Sequence, residues 1–168
     1  MRFEKVSKAA FLNDLYNAIP KFDMNVAEYL YDELSLPSRG TRYSAGYDIY
    51  TPVGFVLHPD EKISIPTGIK AVFNEDEMDT WHLQMYVRSS IGIKSGVILM
   101  NGTGIIDPDY QFAGNEGDMM LALWNTSDKP VFFKAGDRVC QGVFAIHGRT
   151  SDDTAHGERT GGVGSTGK

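Results

Sequence analysis

The residues best equipped for chemistry are gathered between Tyr86 and Gln111. Arg88 and Ser89 can hold phosphate oxygens through charge and hydroxyl donation. Val97-Ile98-Leu99-Met100 reads as a strand. Asn101-Gly102 after it is the strongest short-range hairpin signal, and its backbone groups can read a base edge. Asp107 offers a carboxylate beside a turn, and Tyr110 offers a flat apolar face. Laid along one continuous β-ribbon, these parts each suit a different piece of a nucleoside triphosphate. Each also has a plainer reading. Asp-Pro commonly starts a turn, Asn-Gly is often only a turn, and Tyr110 could be a core ring on a strand.

The rest of the chain sets limits on that chemistry. Its 168 residues fit one domain with a sizeable core. No apolar run approaches the roughly 20 residues of a membrane helix, and Met1-Arg2-Phe3-Glu4-Lys5 lacks a signal-peptide pattern. The single cysteine, Cys140, excludes an internal disulfide and reads as a buried structural thiol. A reducing, cytoplasmic compartment follows as the simplest expectation. The net charge of −6 argues against a direct nucleic-acid binder, which needs a basic stripe to displace counterions. It leaves a nucleotide enzyme open, because a few local cations suffice there. His58, His82, His147 and His156 are scattered and make no zinc-ligand spacing with the one cysteine. There is no Walker loop and no nucleophile elbow.

Two patterns organise the chain. Phe11, Leu12, Leu15, Tyr16 and Ile19 lie at helical spacing before Pro20, and a weaker stripe of Val26, Tyr29, Leu30 and Leu34 suggests a second short helix. These helices occupy about residues 8–34, after a first strand within residues 1–6. From Leu36 onward, Gly and Pro punctuate short β-rich runs, the mark of an all-β sandwich or barrel. Residues 1–147 are expected to form the barrel domain with its helical insertion. Residues 148–168 are polar and Gly-rich and read as a flexible arm.

The order of residues between Tyr86 and Gln111 resembles motifs two and three of the trimeric dUTPases, which cut dUTP to dUMP and pyrophosphate. Motif one resembles Ser44-Ala45-Gly46-Tyr47-Asp48-Ile49, motif four Gly136-Asp137-Arg138-Val139-Cys140-Gln141, and motif five the tail from Arg159 to Gly167. The resemblance implies a jelly-roll-like β-barrel assembling as a homotrimer, with Mg²⁺ assisting. It implies Asp107 as the general base that activates water. Tyr110 packs on deoxyribose and rejects a 2′-hydroxyl, while Asn101 and Gly104 read uracil. Arg88, Ser89, Ser90 and Gln141 face the phosphates, and Arg159, Gly162, Gly164, Ser165 and Thr166 close over them. Asp48 lies near the phosphate and metal region, acting through water or by orienting Arg88, and the metal is otherwise held by the substrate's phosphates. Motifs one, two and four come from one subunit, motif three from a second and the arm from a third.

The chain departs from the family in three places. A residue is missing after Arg159, and Val163 stands at the aromatic lid position, which makes Phe112 the nearest replacement ring. The loop from Gln111 to Asp118 is longer than usual, and the N-terminal helices are extra. Two rival functions share the scaffold. One is a dCTP deaminase. The other is a dUTPase-like regulator that binds a protein partner under dUTP control, with the extra helices and the long loop as docking surfaces.

Overall fold

A computed structural model of the chain describes residues 1–157 together with Arg159 and Gly161. The architecture is mostly β, with every strand pair antiparallel. β1 (Arg2–Lys5) leads through α1 (Lys8–Ala18) and α2 (Met24–Asp32) to β2 (Ser38–Arg39), β3 (Tyr47–Tyr50), β4 (Phe55–Leu57), β5 (Lys62–Pro66), β6 (Ile69–Val72) and β7 (Trp81–Val87). After α3 (Ser89–Ser95) come β8 (Val97–Leu99), β9 (Gly104–Ile106), β10 (Met120–Asn125), β11 (Val131–Phe133) and β12 (Arg138–Ile146). Four sheets form, with strand orders β1-β6, β5-β10-β8, β11-β4 and β2-β3-β12-β7-β9. Alternation along the strands drives Ile49, Leu57, Ile65, Leu83, Leu121 and Leu123 into one core, each at most 1% exposed. Cys140 joins them, and burial pushes its thiol up to about 12, so it is an inert hydrophobe.

The putting-together of the Tyr86–Gln111 stretch differs from a continuous ribbon. β7 stops at Val87, and α3 intervenes until Gly96 ends it in the left-handed region at φ 67°. Nor do the strands around Asn101-Gly102 form a hairpin. β8 pairs with β10, whereas β9 pairs with β7 in another sheet. The Asn-Gly turn is therefore a corner that carries the chain between sheets. Its local signal is genuine, since Gly102 sits at φ 73° and donates to Leu99 O, but the partner of each strand was chosen by tertiary packing.

Both predicted helices form. In α1, Phe11 and Leu15 are fully buried and Ser7 caps the N-terminus by accepting from Ala10 N. α2 is rotated from its expected phase. Val26 and Tyr29 face solvent, while Ala27 is buried and Leu30, Tyr31 and Leu34 pack on the core. Tyr31 fixes this rotation by donating to Val6 O at 2.7 Å and packing its ring 5.8 Å from Phe11.

The long loop after Tyr110 is tied down at both ends. Glu116 accepts from Ser7 N at 2.8 Å and from the Ser7 hydroxyl at 2.6 Å. It thereby does from a distance what the third residue of a capping box does locally. Gly117 follows at φ 81°, where a Cβ would stand 2.8 Å from Gln111 Cα, so only glycine closes the turn. Asp118 is fully buried and accepts from Gly68 N at 2.8 Å and Thr67 N at 3.1 Å.

Burial pushes the Asp118 carboxyl up to about 8, against the downward pull of the Gly68 and Thr67 donors. The folded state therefore binds a proton that the unfolded chain releases near the ordinary carboxylate range. That contribution to stability is complete below the ordinary carboxylate pKa and is lost as pH rises towards about 8. Asp118→Asn should flatten this decline while keeping the acceptor for Gly68 and Thr67. Urea unfolding of both proteins across pH 4.5 to 8.5 checks it, and parallel pH profiles would refute the assignment.

Candidate active site

Motifs one, two and four converge across the middle of the five-stranded sheet. In register, Gln141 on β12 lies opposite Asp48 on β3 and opposite Tyr86 on β7. Gly46 lies so close beneath Gln141 that a Cβ there would fall 2.5 Å from its Oε1, so the glycine makes room for the amide. Arg88, the N-cap of α3, sets its Nε 3.0 Å from Asp48 Oδ1. Arg138 sets Nη1 3.2 Å from Asp48 Oδ2. Arg138 reaches Asp48 because the β3–β12 register shifts between Arg138 and Cys140, an irregularity that re-aims the side chain at the start of β12. Two guanidinium groups on one largely buried carboxylate leave a locally positive surface. Ser89 and Ser90 stand exposed beside it in the first turn of α3.

Asp48 was expected near the phosphate and metal region, and it lies within this cluster. Both of its oxygens are engaged by arginines. Among the described residues, no group of three His, Cys, Asp or Glu side chains is placed to hold a metal. The ion pair between Arg88 and Asp48 is the contact that the other expected role, orienting Arg88, would use.

Motif three builds a second locus. A cavity of about 520 Å³ is lined by Met85, Leu99, Asn101, Gly104, Ile106 and Tyr110, with Arg159 at its edge and residues of α1 on a further wall. Tyr110 is 4% exposed, and its hydroxyl is fixed twice. It donates to Asp118 O at 3.0 Å and accepts from Asn115 Nδ2 at 2.9 Å. Burial raises the phenol pKa further, so the ring is a neutral, immobile platform. Asp107, N-cap of the 3-10 turn Pro108–Phe112, keeps half of its side chain exposed. Arg159 Nη1 lies 2.9 Å from Asp107 Oδ2 and 3.1 Å from Asp109 Oδ1, and its guanidinium stands 5.1 Å from the Tyr110 ring centre. Asp109 thus shares the arginine that reaches Asp107.

The two loci remain apart within one chain. None of Asp48, Arg88, Ser89, Ser90 and Gln141 lines the motif-three cavity. Gly162, Val163, Gly164, Ser165 and Thr166 lie outside the described residues. Phe112 is 66% exposed and so is not a core ring. Sequence reasoning quoted Arg138 within motif four without giving it a role, because its position depends on the register shift. It also missed the contribution of α1, where a polar residue at the edge of the Phe11–Leu15 stripe was the available hint.

Comparison with known proteins converges on one family. The dUTPase family profile matches residues 32–167. The deoxyuridine 5′-triphosphate nucleotidohydrolase of Lactococcus lactis subsp. lactis (strain IL1403) is 40% identical over 145 residues, spanning 84% of this chain and 94% of that protein. The nucleotidohydrolase of the same name from Actinobacillus pleuropneumoniae serotype 5b (strain L20) is 38% identical over 144 residues, spanning 82% and 90%. Among solved structures, dUTPase from Streptococcus mutans superposes with a TM-score of 0.66 at 29% identity, covering 91% of this chain and all of that one. The dUTPase from phage phi11 of S. aureus shares the fold, with a TM-score of 0.61 at 19% identity over 75% of this chain. With its sheet-borne Asp48–Arg88–Gln141 cluster and its Asp107–Tyr110 cavity falling within the matched span, the chain belongs to the dUTPase family.

Proposed function

We propose that the protein hydrolyses dUTP to dUMP and pyrophosphate in the cytoplasm, as a homotrimer whose active sites are shared between subunits. The observation that carries this reading is Asp107 beside the cavity framed by Asn101, Gly104 and Tyr110. A nucleoside held on the Tyr110 ring brings its α-phosphate to a carboxylate half-open to solvent. Asp107 orients a water and accepts its proton as the water oxygen bonds to the α-phosphorus. The bond from that phosphorus to the bridging oxygen breaks, and pyrophosphate leaves with the electron pair. Arg88, Ser89, Ser90 and Gln141 donate to the charge that grows on the phosphates. Asn101 and the backbone at Gly104 meet the uracil edge, where a cytosine amino group lacks its acceptor.

Mg²⁺ would neutralise charge on the triphosphate, held by the phosphates themselves, since this chain's carboxylates near the site are occupied by arginines. Arg159 must leave Asp107 before that carboxylate can take a proton, and the phosphates offer the guanidinium a stronger partner. Gly162, Gly164, Ser165 and Thr166 would follow it over the nucleotide. Phe112, exposed and two residues beyond Tyr110, is the ring available to cover the base in place of Val163.

A pyrophosphate-release assay with dUTP, dCTP, dTTP and UTP tests the reading. Turnover should be confined to dUTP, and ammonia release from dCTP would reassign the protein to deamination. Asp107→Asn should bind dUTP at least as tightly and lose about 10²- to 10⁴-fold in kcat, the usual worth of a positioned general base. A mutant weakened mainly in affinity would remove Asp107 from that role.

The separation of the two loci within one chain supports the shared site. Mixing Asp107→Ala chains with chains ending after Thr150 should therefore restore part of the activity that each lacks alone. Mixed trimers without recovered turnover would refute the sharing of the site between subunits.

A further inference from the structure

Helix α1 lies outside residues 32–167, the span matched by the dUTPase profile, yet Asp14, Asn17 and Ala18 line the motif-three cavity. Spaced three and four residues apart, they occupy one face of the helix. The fully buried Phe11 and Leu15 anchor that helix to the core, so the wall is rigid. It is also bonded to the substrate platform. Glu116 caps the start of α1 through Ser7, and one residue away Asn115 donates to the Tyr110 hydroxyl. Asp14 faces the same Asn115. Burial lifts its carboxyl above the ordinary range, partly offset by the Asn13 and Asn115 amides. Asp14 Oδ2 is shut off from solvent and has no hydrogen-bond partner among the described residues.

Asn17 is different. It is exposed, it lines the cavity, and no hydrogen bond engages its amide among the described residues. An amide at a cavity wall offers one carbonyl acceptor and two N–H donors. A deoxyuridine presents matching groups in its imide edge and its 3′-hydroxyl, whereas the triphosphate belongs to the other locus. We propose that the extra helix is part of the substrate site and that Asn17 contacts the deoxynucleoside, making it a further specificity-determining residue. This rests on the proposed dUTP hydrolysis.

The test uses the full-length chain and its Asn17→Ala variant, a change that an exposed helical position accepts without loss of folding. The expected result is a five- to ten-fold rise in KM for dUTP, with kcat within two-fold and an unchanged unfolding temperature without nucleotide. Calorimetry with dUMP, deoxyribose 5-phosphate and inorganic tripolyphosphate locates the contact. Weakened binding of both dUMP and the sugar phosphate, with tripolyphosphate unaffected, supports it and puts it on the sugar. Weakened binding of dUMP alone supports it and puts it on the base. Unchanged dUMP affinity, or an equal loss for all three ligands, overturns the proposal. So does a variant whose main change is in oligomeric state, because α1 would then be lining a subunit contact. Wild-type protein that turns over no dUTP defeats the functional reading itself, separately from the role of Asn17.

Discussion

Tyr110 is held by its hydroxyl, and much of the molecule is arranged around that grip. The hydroxyl needs an acceptor and finds the carbonyl of Asp118; it also accepts from Asn115. Asp118 can serve only if its own position is fixed, which its carboxyl achieves on the backbone of Thr67 and Gly68 between β5 and β6. Asn115 is positioned by the turn through Glu116 and Gly117, and that turn is pinned to the first residue before α1. The ring of Tyr110 is thereby held in one place. The buried hydrogen bonds supply that rigidity more sharply than apolar contact alone, because each one left unmade costs about 1–3 kcal/mol.

The Asp48 cluster solves a different problem. Long arginine side chains carry about 2 kcal/mol of rotamer entropy, which is lost wherever they are held in one direction. Asp48 pre-pays that ordering for Arg88 and Arg138 while remaining outnumbered by positive charge. Its own position comes from the strand register that sets it opposite Gln141. On the other locus Arg159 lies across Asp107 and Asp109, so its guanidinium balances one of their two negative charges.

How much of this was legible in the sequence follows from the range of the interactions. The β-rich body and both early helices announce themselves through local periodicity and turn residues. The chemical types of Asp107, Tyr110 and Arg88 are visible because ordered motifs carry them within short windows. The proximity of Asp48 to Arg88 was legible because motifs one and two carry them, and the structure pairs the two side chains. What failed depends on partners distant in the chain. A hairpin at Asn101-Gly102 was a sound inference from the turn, but β8 and β9 each found a longer-range strand. The phase of α2 was misjudged because Tyr31 answers to a carbonyl 25 residues away. Arg138 was passed over because the register shift that aims it is a property of the β3–β12 pair, not of either strand.

Helix α1, which lies ahead of the span matched by the dUTPase profile, and the loop after Tyr110 support each other. A longer loop alone would cost closure entropy and leave Asn115 poorly placed. An added helix alone would leave the first turn of α1 short of an acceptor for its capping residue. Joined through Ser7 and Glu116, each supplies what the other lacks, and their junction lies against the nucleoside cavity. The buried oxygens without partners point the same way. Asp14 Oδ2 and Asp118 Oδ2 both belong to this junction, where a core built only for stability would have placed apolar side chains. Local rules are broken where function requires it. On that view helix α1 is a second support for Tyr110, joined to it through Ser7, Glu116 and Asn115.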